Sequence, residues 1–344
     1  GVFTEKSTVS FQSSSIWSYD SSGNRHLNIY TDKNIYKLAC GLSPALRIGQ
    51  EEAFGEEADI KDKIYPRSTM YTVHIEKDAY FNRLPHTLET EEFDHWFYTS
   101  PIIGGEKKEI QFSLQSPDMY STSLFSCRIK LRGKTELSGS HSIDVFVNDK
   151  VVGSGEWQGN QELIIISDPV SPAVLKNGSN TLTLVNRSSE GALAQLMLDW
   201  FEISYPRRLT GSRGVIHFNP PDIGVGKLCR FSIDSFPSPD VEIYKNGTAR
   251  IFGAEVKTVT DTLGEKTYTV VFEDRIFSDD AEYIALVNDQ KSAADTLETW
   301  KGNGLPARAR NVDYVVIAAS DTLAGDEIAP LTELREQQGY SVLV

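Results

Sequence analysis

Between residues 104 and 207 apolar and polar side chains alternate in six short runs that are separated by turn residues, with no helical period between them. The runs are Glu109 to Leu114, Leu124 to Leu131, Ser142 to Val147, Glu162 to Ile166, Thr181 to Val185 and Leu196 to Tyr205. The turns between them are Ser116-Pro117-Asp118, Asn148-Asp149-Lys150, Asp168-Pro169 and Lys176-Asn177-Gly178. Six short strands in about 100 residues predict an antiparallel sandwich of the jelly-roll kind.

A second β pattern runs from about 213 to 290, through Gly214 to Phe218, Lys227 to Ile233, Val241 to Tyr244, Glu255 to Thr260, Tyr268 to Glu273 and Tyr283 to Val287. Asn246-Gly247 and Leu263-Gly264-Glu265 mark hairpins. The size fits an immunoglobulin-like sandwich without the paired cysteines of an antibody domain. After a linker around Lys301-Gly302-Asn303-Gly304-Leu305-Pro306 the period changes. Tyr314 to Ala319 reads as a strand buried on both faces, and Ser320 and Asp321 as caps of a helix. Ile328, Leu331 and Leu334 share a face of that helix, Gly339 ends it, and Ser341 to Val344 starts a second buried strand. One β-α-β crossover cannot cover both faces of its sheet, so this unit is expected to belong to a larger α/β domain and the chain to be part of a longer protein. The residues before 104 carry a Ser-rich lead, an acidic stretch from Glu51 to Asp59 read as a solvated loop, and one clear alternating run, Met70 to Ile75.

The expected division is therefore an amino-terminal β region over 1–103, a jelly-roll sandwich over 104–207 and an immunoglobulin-like sandwich over 208–295. A linker over 296–312 and the start of an α/β domain over 313–344 complete it.

With 48 acidic and 34 basic residues the net charge is −14, which disfavours a nucleic-acid binder. The apolar runs fall far short of the 18 or so residues of a membrane span. Three cysteines, Cys40, Cys127 and Cys229, lie in separate segments and form neither a disulfide scaffold nor a CxxC metal site. No GxSxG elbow or HExxH pair occurs. Gly224-Val225-Gly226-Lys227 lacks the leading glycine and trailing Ser/Thr of a phosphate loop, and only Gly325 follows the first strand of the α/β unit, short of a dinucleotide fingerprint. Cys127 and Cys229 sit in alternating strands among apolar neighbours and read as buried core thiols, as does Cys40. The six histidines, among them His74, His95 and His141, have no zinc-pair spacing and read as structural. The residues thus predict no catalytic, cofactor-binding or metal-binding site and no cofactor in this chain. Trp200 reads as a large side chain closing one end of the first sandwich core, with Asp199 needing partners such as Arg207 or backbone amides if buried. Trp157, after Gly153 and Gly155, is a better candidate than Trp200 for an exposed, ligand-stacking ring, with core packing weighing at least as much.

Several segments, taken in order, resemble one family. Phe93-Asp94-His95-Trp96-Phe97-Tyr98 after Tyr71 to Glu76, His141 to Asn148 with Gly153 and Trp157-Gln158-Gly159, and above all Met197 to Arg207, are similar to the amino-terminal β region of gingipain-like cysteine peptidases. Ser232 to Phe236 with Val241 to Tyr244 resembles the segment that follows. Asp313 to Ile317, a helix and Gln338 to Val342 resemble the opening strand, helix and strand of the caspase-like catalytic domain. The resemblance implies tandem β-sandwiches, jelly-roll (galactose-binding-like) and then immunoglobulin-like, that support or restrain a catalytic domain. It places the catalytic His and Cys beyond Val344, so neither is carried over onto any residue here. It also implies a secreted or cell-surface protein of the bacterial envelope, often exported by the type nine system. The implied partner is the remainder of the peptidase domain, on the same or a separate polypeptide, with a protein or glycan ligand as a further expectation. The alternative is a carbohydrate- or protein-binding sandwich array of the envelope without catalysis.

Overall fold

The computed structural model describes residues 17–19, 25–27, 48–55, 63–82, 95–134, 140–189, 191–222, 225–278, 281–291, 312–317 and 328–344. The chain is mainly β and divides into two units, Gly1–Lys291 and Ser292–Val344. Strands are numbered in chain order.

Two antiparallel sheets make the first sandwich. One runs β13 (Glu162–Ile166), β10 (Ser126–Gly133), β15 (Gln195–Arg208) and β5 (Ser68–Glu76), with β8 (Ile102–Ile103) also paired to β15. The other runs β12 (Lys150–Gln158), β11 (Ser140–Val147), β14 (Gly178–Asn186) and β9 (Lys107–Leu114). Period-two alternation decides which side chains go inside: Ile110, Phe112 and Leu114 of β9 and Ile143, Val145 and Val147 of β11 face Ile129, Leu131, Phe201 and Ile203 in one core. Burying each such side chain contributes about 1.5–3 kcal/mol. The hairpin between β11 and β12 is set by Asn148 and Asp149, both at positive φ, which those two residue types tolerate.

β12 is a strand that alternation does not reveal, because Gly153 and Gly155 occupy positions where strands usually carry bulk. The reason is close approach. A Cβ on Gly153 would lie 2.8 Å from Ile165 Cγ2, and one on Gly155 2.5 Å from Leu163 Cδ2, so β13 can pass over β12 only where Cβ is missing.

The second sandwich pairs the sheet β16 (Val215–Phe218), β22 (Tyr283–Val287), β18 (Val241–Lys245), β19 (Ala249–Phe252) and β3 (Gly49–Glu52) with the sheet β20 (Glu255–Thr260), β21 (Lys266–Arg275), β17 (Leu228–Phe236) and β4 (Lys63–Ile64). Both expected hairpins are present, β18 to β19 through Asn246-Gly247 and β20 to β21 through Leu263-Gly264. Its core is aromatic, with Phe218 stacked on Tyr283 at 5.2 Å and Phe231 on Phe272 at 5.0 Å.

Residues before 104 are shared between the two sandwiches. β5 lies antiparallel along β15, whereas β3 and β4 add to the second sandwich in parallel, on β19 and β17. Each covers backbone that would otherwise be an open sheet edge. Two short pairs, β1 (Trp17–Tyr19) with β2 (Arg25–Leu27) and β6 (Tyr80–Phe81) with β7 (Trp96–Phe97), complete the first unit's described strands.

In the second unit β23 (Tyr314–Val315) and β24 (Val342–Leu343) pair in parallel around helix α1 (Ala329–Gln337). Gly339 at φ 90° and the Tyr340 N–H bonded to the Arg335 carbonyl at 3.1 Å end the helix in the expected way. The expected caps Ser320 and Asp321, with Ala318 and Ala319, lie outside the described residues. Within this chain Val315 is 56% and Ile317 94% exposed, and Leu331 and Leu334 of the helix are exposed as well. Two strands and one helix have too few faces to cover these side chains.

Candidate functional site

Among the described residues a dense assembly of chemistry-bearing side chains lies on the outer face of β15, and a bulge puts it there. Ile129 pairs with Phe201 and Leu131 with Leu198, so Asp199 and Trp200 together oppose the single residue Lys130. The extra residue shifts the alternation of β15 by one. Leu198, Phe201, Ile203 and Tyr205 point into the sandwich core, whereas Trp200 is buried outside it, 5.2 Å from the His74 ring and 5.5 Å from the Arg128 guanidinium. Trp200 is therefore buried as expected, but beside His74 and Arg128 rather than in the core between the sheets.

His74 is fully buried and bridges two carboxylates. Its Nδ1 lies 3.0 Å from Glu202 Oε1 and its Nε2 2.9 Å from Glu76 Oε2. Carboxylates only accept, so this arrangement is satisfied when both ring nitrogens donate. Arg128 donates to the other Glu202 oxygen at 2.8 Å. Burial alone would raise the Glu202 pKa, but the His74 hydrogen bond and the Arg128 charge outweigh it and hold the carboxyl below its usual range. The Leu27 amide donates to Glu76 Oε2 at 3.0 Å, which ties β2 to the same cluster. On the neighbouring turn of the sheet Lys130 meets Asp199 at 3.1 Å and Glu162 at 3.6 Å.

This cluster joins the four strands β2, β5, β10 and β15 and offers a substrate no approach, since the side chains of His74 and Glu76 are at most 1% exposed. Its chemistry is that of a paired, buried charge network, retained because each member is costly to leave alone.

The other residues singled out by sequence are dispersed. Cys127 and Cys229 are free and buried, with burial pushing their thiols up to about 12 and about 11, so neither is a ready thiolate. Cys40 and His86 lie outside the described residues. His141 is buried against Trp157, ring centres 4.8 Å apart, and its Nε2 donates to the Gly159 carbonyl at 2.8 Å. Trp157 itself is only 8% exposed and packs in the first core, so of its two readings core packing is the one that holds. His95 donates to the Asn82 carbonyl at 3.3 Å, and His217 faces Glu282 at the surface. Among the described residues no group of three or more His, Cys, Asp or Glu side chains is placed to hold a metal ion. Arg207 does not serve Asp199. Eight strand residues at ~3.4 Å each separate the two by about 27 Å, and Arg207 instead lies 3.5 Å above the Tyr71 ring and donates to the His217 carbonyl.

No protein-family model matches this chain, and no curated protein sequence does. Among solved structures it is similar to dimeric latent PorU from Porphyromonas gingivalis, at 17% identity and a TM-score of 0.60. The overlap takes in 95% of this chain and 30% of that one, so the chain spans under a third of that protein's length. At this identity the likeness is one of fold. Two carbohydrate-binding modules overlap part of the chain at low scores. One is CBM36 solved with calcium and xylotriose (13% identity, TM-score 0.24, 39% of this chain and 98% of that one). The other is a family 35 module from an environmental isolate (17% identity, TM-score 0.25, 40% and 98%). No described helix is long and apolar enough to cross a membrane.

Proposed function

We propose that this chain forms the non-catalytic amino-terminal β modules of a secreted gingipain-like cysteine endopeptidase of the bacterial envelope. In this reading the modules support or restrain a catalytic domain whose His/Cys pair lies outside these residues. The observation that carries the reading is the β-α-β unit, whose Val315, Ile317, Leu331, Leu334 and Val344 are exposed and call for more sheet and helix to cover them. The in-order fold likeness to a latent protein more than three times as long supports it. So does the burial of the Cys127 and Cys229 thiols, which disfavours their thiolates.

Two measurements test the proposal. Peptides with Arg, Lys or hydrophobic P1 residues should show no turnover above buffer with this chain. Turnover that disappears in Cys127→Ala or Cys229→Ala would overturn it. Hydrogen exchange on a demonstrated monomer should find the amides of Val315, Val316 and Leu343 fast. Strong protection there would show that the unit is complete in itself, and would remove the structural reason for assigning it to a larger domain.

A further inference from the structure

Where the two sandwiches join, the turn after β9, the Asn177–Gly178 corner and the segment leading into β16 enclose a cavity of about 240 Å³. At ~30 Å³ per water that is room for about eight waters, or one sugar-sized molecule. Although acids outnumber bases in this chain 48 to 34, the lining contains Arg207 and Arg213 and no Asp or Glu.

Arg207 is unusual in its own right. It is 6% exposed, its Nε has no hydrogen-bond partner, and no carboxylate of a described residue pairs with it. The Tyr71 ring and one carbonyl offset its charge only in part, whereas buried charges ordinarily have a counter-ion. Desolvation accordingly lowers its pKa. The rest of the wall is rich in hydroxyl and amide groups. The side chains of Ser113, Gln115, Thr210 and Ser212 line the cavity and bond to no other described residue. A lone carboxylate would need only the arginines; this lining also offers paired donors and acceptors for several hydroxyls.

We propose that this cavity binds a small sugar acid, with its carboxylate against Arg207 and Arg213 and its hydroxyls on Gln115, Thr210 and Ser212. The competing role for Arg207 is that of a clamp between the sandwiches, which needs no ligand. Calorimetric titration of the whole chain with D-glucuronate, D-glucose, acetate and inorganic phosphate separates the two. Glucuronate should bind, and glucose, which lacks the charge, should bind about tenfold more weakly or not at all. Arg213→Ala removes an exposed side chain, so it should leave the melting temperature of the free protein unchanged while weakening glucuronate about tenfold. Gln115→Ala should also weaken it at unchanged stability. Absence of glucuronate binding would overturn the proposal, as would equal binding of glucose. Acetate or phosphate binding as tightly as glucuronate would reduce the cavity to a bare anion hole and overturn it too. Arg213→Ala and Gln115→Ala proteins that bind like the parent would do the same.

Discussion

β15 in the first sandwich is buried along nearly its whole length on both faces, whereas all six residues of β20 in the second are exposed. The two strands differ in what lies beside and above them. β15 is central, between β10 and β5, and Tyr80 and Phe97 pack over its Met197. β20 is the edge of its sheet, paired only with β21. A strand with two buried faces must place its polar residues where partners exist, and β15 does so with Asp199 on Lys130 and Glu202 between His74 and Arg128. β20 needs no such arrangement, and its Glu255 and Lys257 blunt an edge that would otherwise pair with another chain.

The sharpest way to break this comparison is at Trp200. Removing a fully buried Trp costs about 3–5 kcal/mol, and Trp200 is 1% exposed. Trp200→Ala in the whole chain should therefore lower the urea midpoint strongly. A change within about 0.5 kcal/mol, the range of surface substitutions, would mean that the outer face of β15 is open in solution and that it does not differ from β20.

Next in size is Glu202→Gln, which leaves His74 and Arg128 facing a neutral amide. Breaking a fully buried pair costs about 3–5 kcal/mol. Arg128 keeps 39% of its side chain exposed, so about 2–3 kcal/mol is expected here. The dependence on pH follows from the lowered carboxyl. Its folded pKa lies below the ordinary 4.5, so its contribution is complete above that value and is lost as pH falls through the folded pKa. Melting curves should show parent and variant well separated near neutral pH and converging as pH falls below the ordinary carboxyl range. A gap that never narrows on acidification would sink the assignment, because it would trace the loss to shape rather than charge.

What the sequence shows and what it hides divide along the same line. The alternation of Ile143, Val145 and Val147, or of Phe231 and Ile233, states both the strand and its inner face, because those strands are wet on the other side. Trp200 is misplaced by the same rule. A bulge leaves only a one-residue slip, visible afterwards as Leu196, Leu198, then Phe201, Ile203, Tyr205, and nothing local says which side the extra residues take. β12 is obscured by Gly153 and Gly155, whose purpose is a neighbour in space, and β3 and β4 by pairing with residues far along the chain, Gly49 with Ala249 and Lys63 with Leu228. The His74–Glu76–Glu202 cluster has one legible element, the i, i+2 pair on β5, and one that only the register of β15 supplies. Arg207 could not be read at all as a cavity residue, since the cavity exists only where two modules meet.

The smallest expected effect lies on β20. Val256 and Val259 are 41% and 49% exposed on an edge strand, so Val259→Thr replaces one β-branched side chain by another with nothing packed upon it. Strand preference is nearly the same for the two, and the added hydroxyl stays in water. Stability should change by no more than about 0.5 kcal/mol, measured by chemical denaturation at two protein concentrations. A loss above about 1.5 kcal/mol would show that Val259 is covered. If that loss appeared only at the higher concentration, the cover would be a second copy of the chain pairing along the β20 edge. β20 would then be a strand of the same kind as β15, completed by association where β15 is completed by its own amino-terminal residues.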